Sequence, residues 1–244
     1  MFSIFKKNTS TNYFPISTDM HSHILPGIDD GSPDAATSVT LVKGLMELGL
    51  TRSVATPHII SDMYRNTPET INSALQTLRT ALKNEAIDYT VDAAAEYMMD
   101  AAFFERLERN EPLLCIKDKM VLTEFGWGNM PENPKQMSFS VITSGYTPIL
   151  AHPERYNYFH HNNKAYHLLK ELGFLLQVNL SSLTGHYGPG AMKAAKYILK
   201  NDLCSFLGTD LHHVKHLELL KKSRGVFEEL LGGKEWNGAF RVDG

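Results

Sequence analysis

Residues 148–155 read PILAHPER. Ile149, Leu150 and Ala151 make a short apolar run suited to a strand buried on both faces. The run gives way at once to His152, with Arg155 three residues on. The pattern recurs along the chain. VATPH (54–58) ends in His58, DAAAEY (92–97) carries Glu96, VLTEF (121–125) carries Glu124, and FLGTDLHH (206–213) carries Asp210 and His212. TDMHSHILPGIDDGS (18–32) sets Asp19, His21, His23, Asp29 and Asp30 at and beyond the end of the first candidate strand.

Candidate strands fall at 15–20, 52–56, 88–94, 119–123, 147–151, 175–179 and 205–208, with helical patterns between them. Ser32-Pro33-Asp34 reads as an N-cap, a proline at the first helical position and an acid in the first turn, and Gly49 closes that helix. Thr67-Pro68-Glu69 repeats the signal ahead of an apolar stripe of Ile71, Leu75, Leu78 and Leu82. Further helices are expected near 101–109, 134–145, 162–172, 190–201 and 214–231, with Gly145 and Gly173 placed to cap two of them. Repeated strand–helix alternation demands parallel pairing with right-handed crossovers, in an open sheet or in a barrel. An open sheet gathers ligands only near its switch point, whereas metal-competent side chains follow nearly every strand here. The expected fold is therefore α/β, a (β/α) barrel with its site at the C-terminal mouth of the strands.

The composition is consistent with one such domain: 244 residues, 43% hydrophobic and 21% charged, are enough for a large core. A net charge of −3 provides no electrostatic footprint for nucleic acid or an acidic membrane. Cys115 and Cys204 form no CxxC pair, and the opening MFSIFKKNTSTNYF has neither a signal-peptide pattern nor a membrane-length apolar run, so a reduced, cytoplasmic chain is expected. Residues 1–14 read as a flexible N-terminal arm, 15–232 as the domain, and the glycine-rich text at 233–244 as a tail.

Imidazoles and carboxylates without thiolate suit Mn²⁺, Fe or Zn²⁺ better than a Cys-rich structural zinc or an all-oxygen calcium site. The candidates outnumber the ligands of one ion and fit two or three that share a carboxylate. Closely spaced ions acidify a bridging water and hold the entering and leaving oxygens of a phosphoryl transfer, which makes a serine or cysteine nucleophile unnecessary. No GxSxG elbow is present.

Taken in order, DMHSHILPGIDDGS, ATPH, AAEY, LTEF, AHPERY and GTDLHH resemble the PHP (polymerase and histidinol phosphatase) superfamily, over roughly residues 17–215. More narrowly they look like its bacterial capsule-associated protein-tyrosine phosphatase branch, the CpsB/CapC/YwqE group. The resemblance implies a distorted seven-stranded, TIM-like (β/α) barrel of the PHP type with a trinuclear, manganese-type site. It assigns His21, His23, Glu96 and Asp210 to one ion, Glu96, Glu124 and His152 to a second, and Asp30, His58 and His212 to a third. Of the two adjacent aspartates, the one directly before the glycine matches the family ligand, so the resemblance implies Asp30 rather than Asp29. Arg155 matches the family arginine that grips phosphate, for which a planar guanidinium is well shaped. The implied activity is metal-dependent hydrolysis of phosphotyrosine on protein. The implied partner is the tail of a membrane-anchored tyrosine kinase that controls capsular or exopolysaccharide export, with no nucleic acid and no membrane insertion. The alternatives are a small-metabolite phosphatase, such as one acting on histidinol phosphate, and a non-catalytic metal-stabilised scaffold.

The remaining polar residues have plainer expectations. Asp19 is read as orienting a ligating histidine, and Asp29 as holding a turn. His160, His161, His167, His186, His213 and His216 are read as surface residues, although LTGHYGPG (183–190) keeps His186 and Tyr187 in view as cleft residues. Tyr64 or Arg65, in DMYRNTPE (62–69), and Trp127, in EFGWGNMPEN (124–133), are placed to meet substrate, and a simple surface loop is the alternative for each.

Overall fold

The computed structural model describes residues 13–232, 234 and 236–240. Among the described residues, nine strands, all paired in parallel, lie in two sheets. The first, in order β1-β2-β4, joins Thr18–Asp19, Arg52–Ala55 and Thr90–Ala93. The second, in order β3-β5-β6-β7-β8-β9, joins His58–Ile59, Glu96–Met98, Met120–Glu124, Thr147–Ala151, Leu175–Asn179 and Cys204–Gly208. Each expected strand overlaps an observed one. The expected single sheet of seven strands is met instead by nine strands in two sheets, because two long strands are interrupted. Pro57, which has no N–H to donate, separates β2 from β3. Ala94 and Ala95 separate β4 from β5.

Hydrogen bonds cross these breaks. Ala94 N donates to Ala55 O at 2.8 Å and Glu96 N to Pro57 O at 3.1 Å, so the ladder of β2 and β4 passes into that of β3 and β5. At the other margin, Asp210 N donates to His21 O (2.8 Å) and His23 N to Leu211 O (2.9 Å), tying the segment after β9 to the segment after β1.

Helices cover the outside of the strands. α1 (Ala35–Leu48) is capped by Asp34, whose carboxylate accepts from Thr37 N at 2.8 Å. The cap is thus two residues later than Ser32, the expected one; Ser32 Oγ instead donates to Asp34 O. α2 (Pro68–Asn84) starts at Thr67, where Thr67 and Thr70 bond reciprocally, and it buries Ile71, Leu75, Leu78 and Leu82 as its stripe requires. α3 (Ala101–Glu108), α4 (Pro134–Thr143), α5 (Lys164–Glu171) and α6 (Gly188–Lys200) follow the expected sites. The helix expected over 214–231 is two helices, α7 (Val214–Lys222) and α8 (Arg224–Leu231). Ser223 divides them, its hydroxyl bonded back to Leu219 O, a side-chain competition that weakens a continuous helix.

Of the arm expected at 1–14 only Tyr13 and Phe14 are described, and of the tail expected at 233–244 only residues 234 and 236–240. Residues 1–12, 233, 235 and 241–244 lie outside the described set. Tyr13 donates its hydroxyl to Leu231 O at 2.9 Å, and Phe14 packs edge-on against Phe227 on α8. Trp236, Asn237 and Phe240 are buried. Phe240 joins a compact cluster of Met20, Val54, Ala94, Ile116, Leu122, Ile149, Ala151 and Phe206, set apart from the main core beneath the helices. The side-chain amide of Asn237 donates to Thr18 O (3.0 Å) and Leu207 O (2.7 Å) and accepts from Leu207 N (3.0 Å), so it stands between β1 and β9 as a peptide group would.

Candidate metal centre

The strands deliver nine side chains to one place. Parallel pairing sets His58 beside Glu96 and Met98 beside Glu124, so these ligand-bearing ends lie level. His21 Nε2 lies 3.2 Å from Glu96 Oε2 and 3.4 Å from Asp210 Oδ1; His23 Nε2 lies 3.4 Å from each of the same two oxygens. His152 Nε2 is 3.0 Å from Glu96 Oε1. His58 turns Nδ1 toward Glu96 Oε2 (3.2 Å) and Glu124 Oε1 (3.0 Å), and Nε2 toward Asp30 Oδ1 (3.5 Å). His212 Nε2 approaches the same Asp30 oxygen at 3.5 Å. Every one of the nine residues predicted as a ligand has a place in this cluster, whose members fall into overlapping groups of three or four donors within 4.8 Å of one another. The groups differ from the implied sets at three residues: His23 also joins Asp30, His58 and His212, His152 falls with His21 and Asp210, and His58 belongs to two groups. His58 stands between the second and third, because its two ring nitrogens face opposite carboxylates.

A second layer orients the first. Gln177 Oε1 lies 2.7 Å from His21 Nδ1, Gln177 Nε2 donates to Asn179 Oδ1 (2.8 Å), and Asn179 Nδ2 donates to Asp210 Oδ2 (2.7 Å). A polar chain on β8 thus links two candidate ligands. Asp29 Oδ2 meets His23 Nδ1 at 2.8 Å and accepts from His58 N at 3.2 Å, while Oδ1 accepts from Gly31 N. Orientation of an imidazole ring, expected of Asp19, therefore belongs to Asp29, which also holds the turn. Asp19 accepts from Thr209 N (3.0 Å), Thr209 Oγ1 (2.5 Å) and His21 N (3.4 Å), fastening backbone rather than a ring. Such outer partners fix the tautomer and aim of ligating groups.

Backbone geometry reinforces the arrangement. His152 (φ 36°) and Asp210 (φ 51°), each just beyond a strand, occupy the left-handed region, which is costly for residues with a Cβ and recurs at functional sites. Gly208 admits a close approach: a Cβ there would stand 2.7 Å from Gln177 Nε2 and 2.8 Å from His21 Cβ.

The charge and hydrogen-bond balance test whether these residues fit a cation. Glu96 Oε1 and both carboxylate oxygens of Glu124 are buried and receive no well-aligned hydrogen bond, although His152 Nε2 stands 3.0 Å from Glu96 Oε1 and His58 Nδ1 3.0 Å from Glu124 Oε1; His152 Nδ1 is likewise unbonded. An unpaired buried carboxylate is costly, so these oxygens call for positive charge. Burial opposes charge on His21, yet Glu96 and Asp210 outweigh it and raise its pKa to about 9. Burial, then the charge of Glu96, pushes the Glu124 carboxyl up. In His152 burial dominates and lowers the pKa to about 4, leaving a neutral imidazole fit to ligate. The donor set, oxygen and imidazole with no thiolate, suits Mn²⁺, Fe or Zn²⁺.

The family described as "Capsular polysaccharide synthesis, CpsB/CapC" matches residues 17–232. The chain belongs to the CpsB/CapC family. Tyrosine-protein phosphatase YwqE of Bacillus subtilis (strain 168) is 29% identical over 197 residues, covering 81% of this chain and 78% of the relative. Tyrosine-protein phosphatase CpsB of Streptococcus pneumoniae is 28% identical over 203 residues, covering 80% and 83%. Among solved structures, one from work on YwqE of Bacillus subtilis and CpsB of Streptococcus pneumoniae, described as metal-dependent tyrosine phosphatases, superimposes with a TM-score of 0.80 at 28% identity, covering 89% of this chain and 88% of that one. A Listeria monocytogenes lactonase shares the fold at a TM-score of 0.53 and 14% identity, covering 92% and 90%.

In this CpsB/CapC chain the cluster lies under a cleft of about 340 Å³. Arg155 reaches it with Nη1 2.7 Å from Asp210 Oδ2, and its guanidinium lies against two rings, 4.6 Å from the Trp127 centroid and 4.1 Å from that of Tyr187. Exposed His186 and His213 line the cleft as well. His216, expected on the surface, is buried there, 2.5 Å from Ser181 Oγ and stacked on His186. The residues the sequence reading missed are Gln177 and Asn179. Their signal was present in LLQVN: two polar residues at alternate positions of an otherwise apolar strand point to one side. Among the described residues, no helix is long and apolar enough to cross a membrane.

Proposed function

We propose that this chain is a metal-dependent phosphomonoesterase acting on phosphotyrosine in protein, with His21, His23, Asp30, His58, Glu96, Glu124, His152, Asp210 and His212 as the ligands of two or three ions of manganese, with iron or zinc as the alternatives. The observation that carries this reading is the buried Glu96–Glu124 pair, two carboxylates side by side with four imidazoles facing them and Arg155 at the mouth of the same cleft. The family relatives named as tyrosine-protein phosphatases support it. The two sheets are read as one distorted seven-stranded (β/α) barrel, with β2 and β3 counted as one strand and β4 and β5 as another.

Bound cations would supply Lewis-acid charge and an acidified water. The chain's own residues supply the rest. Arg155 grips two free phosphoryl oxygens through its fork while Trp127 and Tyr187 hold the guanidinium plane. Gln177 and Asn179 keep His21 and Asp210 aimed. A tyrosyl oxygen leaves with a pKa of about 10, so little help from a general acid is needed. The substrate is assigned to the tail of a membrane-anchored tyrosine kinase that controls capsule export, met by this enzyme in the cytoplasm.

The test is phosphate release from a phosphotyrosine peptide and from histidinol phosphate by the purified chain supplied with Mn²⁺. Release from the peptide is expected. Release only from histidinol phosphate moves the reading to a small-metabolite phosphatase, and release from neither returns the chain to a metal-stabilised scaffold.

A further inference from the structure

The stretch DMYRNTPE (62–69) offers Arg65 to substrate, and the structure sets that residue beside the metal cleft rather than in it. Arg65 lines a separate hollow of about 140 Å³, together with Arg106 of α3. Ile59 and Ile60 bound this hollow, whereas His58, immediately before them, bounds the cleft. Successive side chains of a strand point to opposite faces, so β3 is the partition between the two cavities.

The hollow has an apolar floor and cationic walls. Ile59, Tyr97 and Phe103 on its floor are buried. Asp100, the one acid among the described lining residues, has each oxygen engaged: Oδ1 accepts from Phe103 N (2.9 Å) and Oδ2 from Ser61 N (3.1 Å). The side-chain amide of Asn66 donates to Ile28 O and His58 O, and the Tyr97 hydroxyl oxygen accepts from Leu114 N. The two guanidiniums, in contrast, keep most of their capacity, since each carries five N–H donors. Among the described residues, Arg65 bonds only through Nε, to Ser61 O (2.8 Å), and Arg106 only through Nη1, in a 3.3 Å pair with the part-exposed Glu111 Oε2. A solvated pair of that kind contributes little and yields to a better acceptor. Two cations with unused donors on one small cavity favour a compact anion. The volume falls well below the about 300 Å³ at which pockets for whole ligands begin, and it suits a single carboxylate side chain.

We propose that Arg65 and Arg106 form a docking subsite for an acidic side chain that flanks the phosphotyrosine on the protein substrate. The inference rests on the phosphotyrosine reading and adds a specificity-determining contact away from the reacting atoms. Cavities on the two faces of a strand lie about 10 Å apart, and an extended chain advances about 3.3 Å per residue. The acid therefore belongs about three residues from the phosphotyrosine. The contact is the same in the ground state and the transition state, so it lowers KM and leaves kcat alone. A second phosphotyrosine brings like charge on a side chain too bulky for the hollow.

The test is steady-state hydrolysis, by the Mn²⁺-loaded full chain, of phosphotyrosine peptides that carry one Glu or one Gln at each of the five positions on either side. At a position near the third, kcat/KM should be about three- to tenfold higher for Glu than for Gln, through KM, and the preference should shrink as salt rises. Arg65→Gln and Arg106→Gln should each lower that ratio, and the double variant should bring it near unity. Arg106→Lys should keep part of it, and Arg106→Glu should turn the preference toward a Lys peptide. The Gln peptide serves in every variant as the internal reference, so a loss of folded protein does not change the ratio. A ratio near unity at every position in the wild type overturns the subsite and leaves the phosphatase reading standing. A preference that survives the double variant, or that resides in kcat, overturns it too, as does a larger gain from a second phosphotyrosine than from Glu. A chain that hydrolyses none of the peptides refutes the phosphotyrosine reading and the subsite with it.

Discussion

Asn237 lies in the stretch that reads as a tail, yet its amide makes three hydrogen bonds to strand backbone in a buried setting, joining Leu207 of β9 to Thr18 of β1. Each such bond contributes about 0.5–1.5 kcal/mol net, and a buried group left unpaired costs about 1–3 kcal/mol. Truncation to alanine should therefore destabilise the fold by about 3 kcal/mol. The backbone adds a second effect. Asn237 has φ 60°, a region asparagine tolerates and alanine does not, worth about 1–2 kcal/mol. Asn237→Gly removes the amide without that strain, so Asn237→Ala should be the less stable of the two and the glycine variant should report the hydrogen bonds alone. Asn237→Asp keeps an acceptor for Leu207 N but turns a carboxylate oxygen on two carbonyls, and should be no better than alanine at neutral pH. Urea unfolding followed by circular dichroism measures all three. With a slope of about 3 kcal/mol/M, the alanine variant should shift the midpoint down by roughly 1 M or more. A shift below a fifth of that in both the alanine and glycine variants would mean the amide does not stitch the two strands, and the reasoning fails.

Three further outcomes follow from the same structure. Replacing Gln177 or Asn179 with alanine frees His21 or Asp210 without removing a ligand, and should weaken metal affinity by about 10–100-fold while the fold persists, as read by metal titration calorimetry. Chelation should abolish phosphate release and lower the melting temperature, with Mn²⁺ restoring both, because a ligand of the native state stabilises it by mass action; metal-free protein with undiminished melting temperature would contradict the cluster's need for positive charge. Glu154 is buried, and burial raises its pKa to about 7 despite hydrogen bonds from Ser182 and Asn179 N. The folded state thus holds this proton where the unfolded chain has released it, so its contribution is fully present below the unfolded pKa of about 4.5 and fades as pH rises through 7, by roughly 3 kcal/mol in all. Glu154→Gln should flatten that decline in denaturation midpoints between pH 5 and 8.

The sequence carried much of the site because its signals are local. A strand is a short apolar run, and a residue just beyond one sits at the strand's end whatever the rest of the chain does; His58, Glu96, Glu124, His152, Asp210 and His212 could be placed that way. The caps at Thr67 and Gly49 belong to the same kind of information. Which ring nitrogen faces which carboxylate is not local. Asp19 and Asp29 are both acids near a histidine, and only the crossing of β1, β9 and the loop at 29–31 decided that one fastens backbone and the other a ring. Gln177 and Asn179 became legible once strands from distant sequence brought His21 and Asp210 to either end of them.

By itself, then, the sequence determined an α/β chain of parallel strands whose ends carry imidazole and carboxylate, since hydrophobic period and residue type act over a few residues. The tertiary structure alone decided that His58 lies between two groups of ligands, that His216 is buried, and that Trp236, Asn237 and Phe240 are buried. Those features arise from contacts between residues far apart in the chain, such as Thr18 with Asn237 and His21 with Gln177, whose free energy depends on packing and desolvation rather than on neighbouring residues.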